Sequence, residues 1–391
     1  MRAGAKDGFI DTYVADRLLL KLASRCNLTC DYCYWFKDPA VLAAPARLTA
    51  EAEGNFLQRL EDHVVAHQLK SFSITLHGGE PLLVGKHRFS SLCHRLKSIE
   101  CRTGVRIDIS CQTNGVLLDD QWIQLFKIYG VNVGVSLDGP RILHDKYRRD
   151  GRGSGSFSRV VDGIRLLQDN GLAPGVLAVW SPESDAREIS DFFVGDLGIR
   201  WFDVLMPDLT HDDPSVDVGD FYIELFNDWF FHLHSKGVVV RSAANFARVL
   251  LGLHSLSESL GTAPTTTFSV GTGGELEVLD VLNIVGPEFA RTGLNLKHSA
   301  IQDIAGAEKW RFQVSASTSL PEKCRACVFK DSCGGGYLPS RYSAARGFDN
   351  PSVHCASLVR IFSHVSEVLT SEANKLQERI GINASPPSEG R

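Results

Sequence analysis

The 391 residues are 43% hydrophobic and 22% charged, enough apolar material for a large core and more than one domain. No apolar run approaches the roughly 18 residues that span a bilayer, and the opening MRAGAKDGFIDTY lacks the apolar stretch of a secretory signal, so a cytoplasmic protein with no membrane partner is expected. With 46 acidic against 41 basic residues and a net charge of -5, no electrostatic footprint for nucleic acid is present.

From residue 17 onward, short β-branched and apolar runs alternate with longer amphipathic stretches, the rhythm of βα units around a parallel sheet. Six strands are predicted, at Arg17–Ala23, Ser71–His77, Arg106–Cys111, Asn132–Leu137, Gly175–Trp180 and Ile199–Met206. Helices are predicted over Thr49–His67, with Thr49 as N-cap and Glu51 and Glu53 in the first turn, and over Asp119–Tyr129 and Phe157–Asn170. The rhythm changes after about residue 240. Thr265–Val270 and Glu275–Val281, joined by Gly271-Thr272-Gly273-Gly274, read as a β-hairpin, and Ser357–Ile380 carries apolar residues at helical spacing. The expected division is a barrel over 1–240, a bridging region over 241–260, a small α+β domain over 261–382 and a disordered tail over 383–391. The barrel starts so early that no separate leader-peptide-binding module is expected before it.

In a reducing compartment, cysteines clustered at short spacing point to metal ligands rather than disulfides. Ten are present. Cys26, Cys30 and Cys33 follow the first strand as CxxxCxxC; three thiolates in one loop suit a four-iron cluster and leave one iron open to a small molecule. Four further thiols, Cys324, Cys327, Cys333 and Cys355, suit zinc or an iron–sulfur cluster on spacing alone. Cys93, Cys101 and Cys111 read as packing residues. Other polar motifs close successive strands: Gly78-Gly79-Glu80 after the second, Asn114 after the third, and Ser136 with Asp138 after the fourth. In a β/α barrel that end of the strands carries the active site.

CxxxCxxC with Tyr32 before its last cysteine resembles the radical S-adenosylmethionine (SAM) superfamily. The resemblance implies a partial (β/α)6 TIM-like barrel and an oxidoreductase in which Cys26, Cys30 and Cys33 hold a [4Fe-4S] cluster. It also implies that Tyr32, Tyr34, Gly78, Gly79, Glu80, Asn114, Ser136, Asp138 and Arg148 bind S-adenosyl-L-methionine. Glu80 is the partner of its ammonium group, and Ser136 and Arg148 are candidates for its carboxylate. An external electron donor such as flavodoxin or ferredoxin is implied as well.

The second cluster resembles the SPASM extension of radical peptide maturases, which implies an auxiliary [4Fe-4S] cluster on Cys324, Cys327, Cys333 and Cys355, hence two clusters per chain. A full SPASM domain has four more cysteines for an inner cluster; here Tyr337, Leu279 and the segment Gly261–Thr267 occupy those places. Asp280 aligns with an active-site proton acceptor of related maturases, which makes it the candidate catalytic residue. The reduced ligand set and the Cys333-Gly334-Gly335-Gly336-Tyr337 loop look most like the FxsB-type maturases. These form three-residue cyclophanes, joining an aromatic ring to the β-carbon of a residue two positions later in a ribosomally synthesised precursor peptide with a leader. The alternatives are a thioether-forming or formylglycine-forming SPASM maturase and, in another class, a non-catalytic zinc-binding interaction protein.

Overall fold

The computed structural model describes residues 12–379. The tail expected over 383–391 lies outside them. Twelve strands are present among the described residues: β1 Arg17–Ala23, β2 Leu28–Cys30, β3 Ser71–Gly78, β4 Arg106–Thr113, β5 Asn132–Ser136, β6 Arg148–Asp150, β7 Gly175–Val179, β8 Trp201–Leu205, β9 Val239–Val240, β10 Ser269–Val270, β11 Glu275–Glu277 and β12 Arg291–Asn295. Ten form one sheet, ordered β12-β11-β10-β1-β3-β4-β5-β7-β8-β9, parallel from β10 to β9. All six predicted barrel strands are there, shifted by at most two residues at an end. Their helix-facing positions are filled by Leu18, Leu20, Ile74, Leu76, Ile107, Ile109, Val133, Val176 and Val204, all buried, while Lys21, Thr75, Ser110 and Gln112 alternate onto the opposite face.

Helices cover the outside of this sheet. The helix Ala50–Ala66 is capped by Thr49, whose Oγ1 accepts from Ala52 N at 3.0 Å. Asp119 does the same for Asp120–Tyr129, accepting from Trp122 N at 3.1 Å. The Lys86–Thr103 helix lies between them and packs Phe89 edge-on against Trp122 and Phe126.

The hairpin differs from its predicted extent: its strands are only 269–270 and 275–277, and it does not stand apart from the barrel. β10 pairs with β1, Leu19 opposite Ser269 and Leu20 opposite Val270, and so covers what would be an open sheet edge. It is short because a distant side chain takes its backbone groups. Gln313 Nε2 donates to the carbonyls of Thr265 and Thr267 at 3.0 Å each, and Gln313 Oε1 accepts from Leu279 N at 2.7 Å. The closing helix begins at Cys355, two residues before its predicted start, and runs to Arg379. It packs Phe362 against Phe246 of the Arg241–Leu250 helix and against Phe329, while His364 bonds Asn227 at 2.7 Å. Among the described residues no helix is long and apolar enough to cross a membrane.

Candidate functional site

The loop bearing Cys26, Cys30 and Cys33 leaves β1 at the carboxyl edge of the sheet and is held by the end of β3. Gly79 N donates to Ala23 O at 2.9 Å and Glu80 N to Arg25 O at 2.8 Å. The two glycines are there for this contact. A Cβ on Gly78, whose φ is 135°, would lie 2.2 Å from Ala23 O, and one on Gly79 would lie 2.5 Å from Arg25 O. The sequence reads the pair as space for a ligand; the structure gives that space to the cysteine loop. β2 pairs antiparallel with β6 and sets Cys30 opposite Arg148. Leu28 N approaches Cys26 Sγ at 3.4 Å, and Asn114 Nδ2 approaches it at 3.6 Å while bonding Asn27 Oδ1 at 2.8 Å.

Burial pushes these thiols up, Cys26 to about 12 and Cys30 to about 11, the latter against the pull of the Arg148 guanidinium; Cys33 is raised as well. A metal ligand must be a thiolate, and only a strong positive charge at the loop makes all three so. Three thiols, backbone and amide N–H groups aimed at sulfur, and a nearby guanidinium fit an iron–sulfur cluster.

Glu80 is buried and accepts from Thr113 Oγ1 at 2.7 Å, Asn114 N at 2.8 Å and Leu82 N at 3.1 Å. Burial lifts it to about 7 in spite of these donors, so a ligand ammonium would be a strong partner. Asp138 joins two other predicted residues, Tyr32 and Arg148, into one cluster. Its Oδ2 accepts from Tyr32 OH at 2.6 Å and from Arg148 Nε at 2.9 Å, with the guanidinium 5.4 Å from the Tyr32 ring centre, and its Oδ1 accepts from Val179 N at 3.1 Å. Arg148 rather than Arg149 faces inward; Arg149 is exposed and donates to Asp145 O. Ser136 Oγ accepts from Gln112 Nε2 at 3.0 Å. β1, β3, β4 and β5 are neighbours in the sheet, so their predicted residues share one edge.

Asp280 is buried at the same end, ion-paired with Lys21 of β1. Tyr34 OH donates to Asp280 Oδ2 at 3.1 Å, which ties Tyr34 to the carboxylate. The Lys21 ammonium also lies 4.5 Å from the Trp35 ring centre. Burial pulls Lys21 down to about 7, with the Glu277 carboxylate acting the other way. His77 next to it is buried, with Nδ1 unbonded, and burial and the Lys21 charge hold it neutral, near 3. Lys21 is absent from the sequence-based set; its signal was a lysine inside the apolar run RLLLKLA.

Cys324, Cys327, Cys333 and Cys355 line one cavity of about 170 Å³, closed by Phe329, Leu358, Val359 and Phe362. Cys324 ends a short turn, Cys333 ends the Lys330–Cys333 helix, and Cys355 opens the closing helix. Gly334, at φ 68°, passes so close to Gly261 that a Cβ would lie 1.8 Å from its carbonyl oxygen. Among the described residues no three thiols converge as ligands of a single ion would. A four-iron cluster takes one thiolate at each iron, and four thiols around an apolar cavity fit that group. Tyr337 and Leu279, which the SPASM resemblance sets at inner-cluster positions, are packed side chains. Cys93 and Cys111 are buried as expected, whereas Cys101 is exposed and does not pack in the core.

Residues 20–187 match the model of the Radical SAM superfamily. A serine-type anaerobic sulfatase-maturating enzyme of Bacteroides thetaiotaomicron is 26% identical over 381 residues, covering 87% of each chain. A cysteine-type enzyme of Clostridium novyi is 23% identical over 374 residues, covering 93% of this chain and 98% of the relative. Among solved structures, anSMEcpe with bound AdoMet superposes with a TM-score of 0.81 at 22% identity over 92% of this chain and 99% of that one. SuiB of Streptococcus suis bound to S-adenosylmethionine gives 0.58 at 15% identity, covering 86% and 74%. These similarities carry the enzyme reading rather than that of a non-catalytic zinc-binding protein. The match to the Radical SAM model is confined to residues 20–187, while the fold of nearly the whole chain is shared with anSMEcpe.

Proposed function

We propose that the chain is a peptide maturase that oxidises the side chain of a serine or cysteine in a polypeptide to an aldehyde, the formylglycine-forming reading. The observation that supports it most is similarity along nearly the whole chain to both serine-type and cysteine-type sulfatase-maturating enzymes. A [4Fe-4S] cluster with S-adenosylmethionine supplies, when bound, a 5′-deoxyadenosyl radical that removes a hydrogen atom from the substrate β-carbon. The residues of the chain do the rest. Cys26, Cys30 and Cys33 hold the cluster; Glu80 takes the cofactor ammonium, its backbone fixed by the glycine pair; and Arg148 offers its free guanidinium edge, with Ser136, to the carboxylate. Asn114, Asp138, Tyr32 and Tyr34 line the same pocket. Completing the oxidation of a serine removes one electron, to a redox acceptor, and one proton from the hydroxyl. Asp280 is the group placed to take that proton, and the Lys21 ammonium keeps it ionised until then. A cytoplasmic setting with flavodoxin or ferredoxin as reductant, and a leader on the substrate, belong to the same proposal.

The cyclophane reading is favoured by one observation: no cysteine stands at the inner-cluster positions, so the chain offers seven cluster ligands where a full SPASM maturase has eleven. The experiment is anaerobic incubation of the reconstituted enzyme with S-adenosylmethionine, reductant and sulfatase-type peptides bearing serine or cysteine, read by mass spectrometry with and without a hydrazide tag. A serine peptide that loses two hydrogens and reacts with hydrazide supports the proposal. Loss of two hydrogens without hydrazide reactivity, from a peptide with an aromatic residue, moves the assignment to the crosslink.

A further inference from the structure

A second cavity, of about 420 Å³, lies between the end of β8 and the C-terminal region. Tyr34, Asp208, Tyr222, Glu258, Tyr337 and His354 are in its walls. Because Tyr34 also donates to Asp280, the cavity and the proposed proton acceptor share a wall.

The charges in this cavity do not balance. Asp203 and Arg241 pair with each other at 2.7 Å and cancel. Asp208 has no hydrogen-bond or ion-pair partner among the described residues, and burial alone lifts it to about 7. Glu258 accepts from the backbone N–H and hydroxyl of Thr267 and forms no ion pair among the described residues, the Arg17 guanidinium acting on it only from a distance. Both carboxyls are near enough to Tyr337 to raise its phenol further. Two more polar atoms in these walls, His354 Nδ1 and Ser242 Oγ, are buried without a partner, and His354 is 3% exposed. Half-buried carboxyls without an ion pair favour a cation as partner, and Tyr34, Tyr222 and Tyr337 line the same walls, where an aromatic ring can add attraction for one. The volume is that of a ligand pocket.

We infer that this cavity is a subsite for a basic side chain, lysine or arginine, of the polypeptide substrate, seated beside the residue that is oxidised. This rests on the reading that the substrate is a polypeptide. It adds a recognition element made of Asp208, Glu258 and the tyrosines that line the cavity with them.

The test uses the reconstituted holoenzyme and two probe series. In the first, arginine is moved through the positions flanking the target of a fluorescently labelled sulfatase-type peptide and compared with citrulline at each. Wild type is expected to bind one arginine register about tenfold to 100-fold more tightly than its citrulline partner. Asp208→Asn is expected to lose that preference and Asp208→Glu to keep it, all with normal iron content. In the second series, argininamide and citrullinamide are compared by thermal shift: argininamide is expected to raise the Tm of wild type and not of Asp208→Asn. Equal binding of arginine and citrulline probes in both series, or a preference that survives Asp208→Asn, overturns the subsite. If arginine peptides bind through Asp208 but no peptide is modified, the subsite stands and the proposed reaction fails. If peptides are modified without regard to arginine, the reverse holds.

Discussion

Lys21 and Asp280 are the pair on which the site's proton chemistry depends. Replacing one partner of a buried ion pair leaves the other charge uncompensated, at about 3–5 kcal/mol. Asp280→Ala should therefore destabilise the chain, by a penalty that grows as the pH falls below about 7, where Lys21 takes up its proton. Adding Lys21→Met should recover most of the loss; denaturant unfolding of both variants checks this, and an additive double variant would count against the pairing. Asp280→Asn keeps a hydrogen-bonding group for Lys21 but cannot take a proton. Its product formation should fall about 100-fold or more with iron content retained, and normal turnover would remove Asp280 from the mechanism.

Glu80 gives a pH dependence of defined sign. Its folded-state value of about 7 lies above the ordinary 4.5. The folded chain therefore binds the proton more tightly than the unfolded one. The stability this contributes is complete below about 4.5 and is lost as the pH rises through about 7, on the order of 3 kcal/mol in all. Unfolding of the cluster-free chain across that window should show the slope in wild type and lose it in Glu80→Gln; an unchanged slope would contradict the assignment. Glu80 was singled out by its motif at the end of a strand and Asp280 by resemblance to related maturases. Lys21 and Asp208 were not. Lys21 sits in a run that reads as plain strand, and Asp208 in PDLTHDD reads as an exposed loop until the C-terminal region covers it.

At the scale of elements, the contact between the end of β3 and the cysteine loop is the most constrained. The Cβ of Gly78→Ala or Gly79→Ala would meet backbone oxygen at 2.2 or 2.5 Å, which no side-chain rotation relieves. Either variant should lose the N-terminal cluster while the four-thiol site keeps its iron, so that iron drops from about eight to about four per chain. Cys324→Ala should give the same total from the other site. The two are told apart by adding S-adenosylmethionine, which should perturb the spectrum of the remaining cluster in Cys324→Ala and not in the glycine variants. The barrel strands were readable because each buries a short apolar run between helices. The hairpin was misjudged because Gln313, a residue on a helix far along the chain, satisfies the backbone that would otherwise have extended the strands.

Over the whole molecule, one sheet runs from the barrel into the hairpin, and the closing helix brings Cys355 to the other three thiols. The same continuity sets Asp280, which follows β11, against Lys21 of β1. A sequence read in separate barrel and C-terminal parts does not show that their junction builds the site. The reaction proposed for this joint site is hydrogen abstraction from a β-carbon of a polypeptide. The most direct measurement is a sulfatase-type peptide deuterated only at the β-carbon of its target serine, incubated with holoenzyme, reductant and S-adenosylmethionine. Deuterium appearing in 5′-deoxyadenosine, in step with loss of mass from the peptide, is the predicted result. Deoxyadenosine formed without deuterium while the peptide is returned unchanged would contradict it.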